Sequence, residues 1–321
     1  MAINLLNIQP HVVSRDLSGY ITYVYGAPKV GKTTLGSQFP NSLILAFEKG
    51  YNALPGAMIQ DITSWSEFRQ VIRELKKPEV QNVYKSIIVD TLDVAGSYCE
   101  KYICNQLGID NIGDGGWSTN SWTKYKKEFE DSFRTITQLG YAVLFISHSK
   151  DKTFKKKDGT EFNQVIPTAQ TSINEVVKGM ADIYGCADIV NGERKLILRS
   201  ADGSYDTGCR FKYIESEIPF TYESLKDALN AAIDKEAAEN NNKYVTNERA
   251  SAPIAKTYDY DALMEQFQTI TGELMHKDQA NASKIVEIVE RYLGKGKKVS
   301  DTTRSQAEFI DLIVDELKDL K

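Results

Sequence analysis

Apolar residues in the first 235 positions form two patterns that alternate along the chain. Four apolar runs have the length of a buried strand: 20–26, 42–48, 86–91 and 141–148. Stretches that favour a helix lie between and after these runs: 32–40, 64–77, 94–107, 123–139 and 171–187. Because alternating strands and helices build a parallel sheet that helices cover on both faces, these positions predict an α/β fold.

A hairpin, a linker and a helical bundle complete this prediction. Residues 194–200 and 207–214 flank a turn-forming segment, which is typical of an antiparallel β-hairpin at a sheet edge. Residues 236–257 are polar and include an asparagine run and a proline, so we expect a linker there. Apolar residues recur at helical spacing beyond it, which predicts three amphipathic helices. The expected domains are therefore 1–235 and 258–321.

The segment from Gly26 to Thr34 carries the strongest chemical signal of the chain. It matches the pattern GxxxxGK[ST] between a predicted strand and a predicted helix. Its glycines let the backbone approach phosphate closely, and its amides point N–H groups at the anion. In such a loop Lys32 contacts the β- and γ-phosphates of ATP, and Thr33 binds Mg²⁺. The predicted ATP-binding residues are Gly26, Ala27, Pro28, Lys29, Val30, Gly31, Lys32, Thr33 and Thr34.

Two carboxylates follow predicted strands, at the sheet edge where ligands bind in open α/β folds. Asp90 lies at the C-terminal end of the strand predicted in the run 86–91, so we expect it to help Thr33 hold Mg²⁺; an aspartate that starts a turn is the alternative. Asp93 is a weaker substitute for this role. Glu48 ends the second run and is placed to activate the attacking water. The pattern alone is equally compatible with a solvated loop glutamate at that position.

His148 and the basic segment after it are further candidates. His148 ends the fourth apolar run, where it is placed either to contact a γ-phosphate or to cap a loop. The following polar segment is rich in lysine and is expected to be a loop. Lysines neutralise a phosphodiester backbone and an aromatic ring stacks on bases, although lysine runs are often only solvated. The candidate DNA-binding residues are Lys150, Lys152, Phe154, Lys155, Lys156 and Lys157.

Composition and simple sequence signals limit which compartment and which cofactor we expect. The net charge of −5 does not indicate nucleic-acid binding by the whole surface, so any such contact must be local. Four cysteines occur without CxxC spacing and without a nearby histidine, so a zinc site is not expected. No apolar run reaches the roughly 18 residues of a membrane helix, and no secretory signal is visible. We expect a cytoplasmic protein.

With these residues assembled, the chain resembles the RecA-like P-loop ATPases over about residues 15–230. It is more narrowly similar to phage-encoded AAA-family ATP-binding proteins with a RecA-type core, some of which act as single-strand annealing recombinases. The resemblance rests on YGAPKVGKTTL, LILAFEKG, SIIVDTLD, YAVLFISHSK and RKLILRS with CRFK. It implies a RecA-like core with a mostly parallel sheet, followed by the small C-terminal helical bundle.

The resemblance also assigns roles to residues. It makes Glu48 the catalytic base and the segment after His148 a DNA-binding element. His148 replaces the glutamine that RecA proper often has, which leaves the coupling between γ-phosphate and DNA open. Basic residues near the late hairpin reach a neighbouring subunit's nucleotide in RecA-like assemblies, so Arg199 and Arg210 are candidates. Without the resemblance, both would be interpreted as surface charges of a hairpin.

The expected function is Mg²⁺-dependent ATP hydrolysis stimulated by single-stranded DNA, in phage-type recombination, annealing or replication. A ring or filament of identical subunits is the expected assembly, and a single-strand-binding protein is a candidate partner. The alternative is a nucleotide-gated loader or adaptor that organises protein partners and hydrolyses ATP slowly. A small-molecule kinase ranks last, because it needs an arginine-bearing lid that the sequence does not show.

Overall fold

The computed structural model describes residues 6, 8–115, 120–239, 241, 243–249 and 258–320. The described residues fall into two compact units. The larger unit lies within residues 10–254, and the smaller unit combines residues from 1–9 and 255–321. None of the helices in the described ranges is both long enough and apolar enough to cross a membrane.

A ten-stranded sheet forms the centre of the larger unit, beside a separate two-stranded pair, among the residues described. In chain order the strands are β1 (Val13–Ser14), β2 (Ile21–Gly26), β3 (Ser42–Ala46), β4 (Met58–Asp61), β5 (Ser86–Asp90), β6 (Ala142–Lys155), β7 (Glu161–Pro167), β8 (Ile183–Val190), β9 (Glu193–Ile197), β10 (Gly208–Cys209), β11 (Glu217–Pro219) and β12 (Val245–Thr246). The large sheet has the order β11-β9-β8-β2-β6-β5-β3-β4, and β1 pairs with β12.

The sheet is mostly parallel, which confirms the predicted fold class. All neighbouring pairs from β8 to β4 in this order are parallel. The strands β9, β10 and β11 add an antiparallel edge beside β8. Because the central strands run in the same direction, their C-terminal ends meet at one edge of the sheet, where ligands bind in such folds.

Helices cover both faces of the sheet. The helices of the larger unit are α1 (Lys32–Ser37), α2 (Trp65–Leu75), α3 (Pro78–Val83), α4 (Leu92–Leu107), α5 (Ser121–Gln138), α6 (Thr171–Met180) and α7 (Tyr222–Glu239). Apolar side chains of α2, α4, α5 and α6 form one core with the sheet, and those of α1 and α7 form the other. Successive residues of β5 serve the two cores in turn, with Ile87 and Val89 in one and Ile88 in the other.

The smaller unit contains the predicted helical bundle. Its helices are α8 (Tyr260–Lys277), α9 (Asn281–Leu293) and α10 (Ala307–Lys318). The apolar stripe of α10, which includes Ile310, Ile313 and Leu317, is fully buried against the other two helices. The three stretches of helical periodicity therefore correspond to three helices, as amphipathic patterns lead one to expect.

The structure corrects the prediction at the antiparallel edge. The predicted helix 171–187 ends at Met180, and Ile183–Val190 is the strand β8. The chain then turns at Asn191 and Gly192, whose φ angles of 53° and 83° suit a tight hairpin turn. The hairpin predicted between 194–200 and 207–214 is wrong, because β9 pairs with β8 and β11, and β10 pairs with β8.

The predicted linker is also partly structured. Helix α7 continues to Glu239, and β12 pairs with β1 at the start of the larger unit. Arg249 then donates hydrogen bonds to the backbone carbonyls of Ser18, Lys85 and Gly140. The described residues between 236 and 249 therefore pack on the larger unit. Composition could not predict this, because it reveals neither strand pairing nor side-chain hydrogen bonds.

Candidate active site

Two glycines shape the loop between β2 and α1. A Cβ atom on Gly26 would lie 2.3 Å from the carbonyl oxygen of Ala187 on the neighbouring strand, so the position admits only glycine. Gly31 has a φ of +109°, which side-chain-bearing residues rarely adopt. The backbone can therefore fold tightly at both ends of the loop, which is what a phosphate-binding loop requires.

Lys32 lies inside this loop and is only 6% exposed. Its Nζ donates hydrogen bonds to the carbonyl oxygens of Gly26 at 2.8 Å and Ala27 at 2.9 Å. Burial lowers the pKa of Lys32, while the nearby carboxylates of Asp90 and Glu48 oppose this shift. The ammonium group is thus held at the centre of the loop, where a bound polyphosphate would meet it.

Thr33 and Asp90 form a hydrogen-bonded pair of oxygen-bearing side chains beside the loop. The hydroxyl of Thr33 donates a 2.7 Å hydrogen bond to Oδ2 of Asp90, which ends β5 and is 3% exposed. Burial raises the pKa of Asp90, because the charged carboxylate loses water. A Cβ on Gly50 would lie 3.4 Å from the Thr33 hydroxyl, so this glycine leaves space beside the pair. Hydroxyl and carboxylate oxygens suit Mg²⁺, so the residues fit that ion.

Glu48 and His148 form a pair across the same cleft. His148 Nε2 lies 3.1 Å from Oε1 of Glu48, and the Thr91 hydroxyl donates to Oε2 at 3.3 Å. The hydrogen bond with His148 lowers the pKa of Glu48, and the same bond raises the pKa of His148. Among the described residues, the buried Nδ1 of His148 has no hydrogen-bond partner. The pair therefore favours a carboxylate at neutral pH with a histidine held against it.

Asp93 occupies a different position from the one expected for a substitute metal ligand. Its Oδ2 accepts hydrogen bonds from the Ser147 hydroxyl at 2.8 Å and the His148 backbone N–H at 3.3 Å. Its Oδ1 accepts one from the Thr168 hydroxyl. Asp93, at the start of α4, thus joins β6 to the residue that follows β7.

The lysine-rich segment is a β-hairpin, which corrects the predicted loop. β6 continues beyond the sheet to Lys155, and β7 returns beside it in antiparallel register. Lys150 and Lys152 lie on one face of the hairpin with Phe154, since side chains alternate along a strand. Lys155 lies on the other face, opposite Glu161.

The first of these faces, which we name the basic face, consists of Lys150, Lys152, Phe154, Lys156 and Phe162. The two rings stack with centroids 5.6 Å apart. The Nζ atoms of Lys152 and Lys156 lie 4.9 Å from the ring centre of Phe154 and 5.6 Å from that of Phe162, respectively. Lys157 lies in the turn that follows β6. The structure thus divides the candidate DNA-binding residues between two faces and a turn.

Arg199 and Arg210 are bound within their own chain. Arg199 donates to the carbonyl oxygens of Phe211 at 2.7 Å and Lys212 at 3.0 Å. Arg210 forms an ion pair with Asp182 at 3.1 Å. Both arginines lie towards the N-terminal ends of the parallel strands, at the sheet edge opposite the loop of Lys32. Their contact with a neighbouring subunit's nucleotide stays a prediction.

Of the two tryptophans that could clamp a ligand or cover the core, Trp117 and Trp122, the structure describes Trp122, which does not line the cleft that holds Lys32, Asp90 and Glu48. Trp117 lies outside the described residues. Trp122 is 48% exposed on α5, and its ring meets Tyr125 edge-on at 6.2 Å. Its partly exposed ring thus lies against Tyr125, a buried core residue, as expected of a side chain that covers the core.

One cleft of about 250 Å³ gathers most of the predicted ATP-binding and catalytic residues. Its lining consists of Pro28, Lys29, Gly31, Lys32, Thr33, Thr34, Glu48, Gly50, Asp90 and His148. Val30 instead has its side chain in the core, where it is 2% exposed. The arrangement can bind a polyphosphate with Mg²⁺ at one end and offer a carboxylate to a water molecule beyond it.

The chain is similar to several known proteins. A family model described as "AAA domain" matches residues 18–211. The SPbeta prophage-derived uncharacterized protein YorG of Bacillus subtilis (strain 168) is 31% identical over 332 residues, covering 100% of this chain and 99% of the relative. A KaiC-like protein, PH0186 from Pyrococcus horikoshii OT3, gives a TM-score of only 0.33 at 13% identity, over 59% of this chain and 83% of that one. The family match confirms the resemblance to P-loop ATPases, and the chain belongs to this AAA domain family.

Proposed function

We propose that the protein hydrolyses ATP with Mg²⁺ and couples this reaction to the binding of single-stranded DNA. Lys32 and the backbone amides of the loop would hold the β- and γ-phosphates. Thr33 and Asp90 would hold Mg²⁺, which supplies charge neutralisation on the phosphates. We expect Glu48 to accept a proton from the attacking water, because it lines the same cleft as Lys32 and Asp90 and is ionised at neutral pH.

His148 would report the state of the phosphate to the hairpin. Its ring touches Glu48, and its backbone continues along β6 into the basic face two residues later. When His148 turns to a γ-phosphate, Glu48 gains freedom to orient water. The observation that carries the proposal is this continuity, since one strand bears both the residue beside the catalytic carboxylate and the lysines of the hairpin.

The basic face suits a single strand of nucleic acid. Lys150, Lys152 and Lys156 present positive charge next to two stacked rings, and the face carries no carboxylate among these residues. Stacking on aromatic rings and neutralisation of phosphates are the two interactions that sequence-tolerant single-strand binding uses. The prophage origin of the YorG relative supports a role in phage-type recombination, annealing or replication.

The strand faces offer a matched test of DNA binding. Lys152→Ala removes a charge from the basic face, while Lys155→Ala removes one from the opposite face of the same strand. We expect Lys152→Ala to weaken oligo-dT binding and to reduce the slope of log affinity against log salt by about 0.7. Lys155→Ala should leave both within twofold of the wild type. Fluorescence anisotropy at several salt concentrations measures both quantities.

ATP turnover with and without oligo-dT tests the coupling. Wild-type turnover should rise with DNA, Lys32→Ala should abolish turnover, and Lys152→Ala should lose the stimulation but keep the basal rate. Equal effects of Lys152→Ala and Lys155→Ala on binding would refute the assignment of the basic face. Turnover that ignores DNA and responds to a protein partner would instead support the alternative, a nucleotide-gated loader or adaptor.

A further inference from the structure

Arg194 is a cationic residue beside the phosphate-binding loop, and no sequence motif identifies it. A Cβ atom on Gly31 would lie 3.7 Å from Nη1 of Arg194 and 3.9 Å from a ring carbon of Phe220. The guanidinium therefore lies against the backbone of the loop, one residue before Lys32. Arg194 is exposed, and its guanidinium has no hydrogen bond or ion pair within the part of the chain that the structure describes.

The strand register explains why Arg194 reaches this place. On β8, Ala187 pairs with both Gly26 of β2 and Leu196 of β9. Arg194 pairs with Ile189, so it lies two residues further towards the C-terminal edge of the sheet than the level of Gly26. Its side chain shares a face with Leu196, which packs in the core of α1 and α7. The arginine thus projects over the start of α1 from the β9 side.

The other site residues lie on the opposite side of β2. Asp90, Glu48 and His148 belong to or follow β5, β3 and β6, and they surround the end of the cleft where the γ-phosphate and water would lie. The opposite end of a nucleotide held by the loop therefore faces β8 and β9. We propose that Arg194 binds the α-phosphate end of the nucleotide; this inference rests on the proposed ATP site.

A contact at the α-phosphate has a distinctive consequence. ATP and ADP share that phosphate, so losing the arginine weakens both ligands by the same factor. A contact at the γ-phosphate would weaken ATP alone. A charge-assisted hydrogen bond at an exposed site corresponds to about a 5- to 20-fold change in affinity. Arg194→Lys should recover only part of it, because an ammonium lacks the planar pair of donors that grips a phosphate.

The neighbouring Lys195 provides a matched control. It lies on the same strand with its side chain on the other face, where it pairs with Glu193 at 2.8 Å. Titration calorimetry of the full chain with Mg-ADP and Mg-ATP should give a 5- to 20-fold loss for Arg194→Ala with both ligands. Lys195→Ala should bind both within twofold of the wild type.

Three outcomes would overturn the proposal. If Arg194→Ala binds ADP with wild-type affinity while Lys32→Ala does not bind it, the contact between Arg194 and the α-phosphate is refuted. The proposed ATP site is not affected by that result. A loss confined to ATP would place the arginine at the γ-phosphate instead. An equal loss in Lys195→Ala would show a nonspecific charge effect. Failure of the wild-type protein to bind either nucleotide would refute the proposed function itself.

Discussion

Replacing Asp93 tests whether the hairpin is mechanically tied to the ATP site. Its carboxylate accepts hydrogen bonds from the Ser147 hydroxyl, the His148 backbone N–H and the Thr168 hydroxyl. These donors lie at the two ends of the hairpin, where β6 leaves the sheet and β7 returns to it. Asp93→Ala would leave all three donors without their acceptor and release both ends at once.

The magnitude follows from the number and kind of the bonds. A hydrogen bond to a charged group contributes about 1.5–3 kcal/mol, and water can replace part of it because Asp93 is only half-buried. Three such bonds with partial replacement give a loss of about 2–4 kcal/mol in the free energy of unfolding. Asp93→Asn keeps one acceptor oxygen, so we expect about half of that loss.

The assay combines stability with coupling. Urea unfolding followed by tryptophan fluorescence reports the larger unit, because Trp65 is buried in its core. ATP turnover with and without oligo-dT reports the coupling, and we expect Asp93→Ala to keep nucleotide binding but lose DNA stimulation. Asp131, whose position on the outer part of α5 is exposed, gives a control variant, Asp131→Ala. Stability within 0.5 kcal/mol of the wild type, roughly the effect of a surface substitution, together with unchanged stimulation, would refute the reasoning.

Two further predictions concern Arg249 and the Glu48–His148 pair. Arg249→Ala should lower the free energy of unfolding by about 2–3 kcal/mol, because three carbonyl groups lose a charged donor; Arg15→Ala, which removes an exposed ion pair, should cost less than about 1 kcal/mol in the same urea titration. The raised pKa of His148 makes its contribution to stability present below about pH 6.5 and lost as pH rises through its folded pKa. The lowered pKa of Glu48 makes its contribution present above about pH 4.3 and lost as pH falls through its folded pKa. The difference in unfolding free energy between the wild type and Glu48→Gln should therefore peak between these values, at about 0.5–1 kcal/mol, and a flat difference would contradict the pairing.

The residues at the ATP cleft could be found from sequence because the geometry of a parallel sheet brings them together. Asp90, Glu48 and His148 each lie at the end of an apolar run, and parallel strands bring these ends to one edge of the sheet. Their mutual contacts could not be read from the pattern. The sequence gives no sign that His148 binds Glu48, since the two residues are far apart in the chain and belong to different strands.

Arg194 was missed because the strand before it was missed. Residues 183–187 continue the apolar character of the helix predicted over 171–187, so the first part of the strand Ile183–Val190 was assigned to that helix. The signals that identify it are Ile189 and Val190, which favour strands, and the pair Asn191-Gly192, which favours a hairpin turn. With β8 in place, β9 pairs beside it, and Arg194 falls next to the loop of Lys32.

The negative net charge of the chain does not reveal the positive charge on one face of its hairpin. Between residues 149 and 167 there are five lysines and three acidic residues, a modest excess in a chain of net charge −5. Strand alternation separates these charges, since Asp151 and Glu161 lie with Lys155 on one face and the other face keeps its lysines beside two rings. A phosphodiester that approaches within a Debye length of about 8 Å meets the near face most strongly. The hairpin fold, rather than composition, therefore determines whether this acidic protein can hold a nucleic acid.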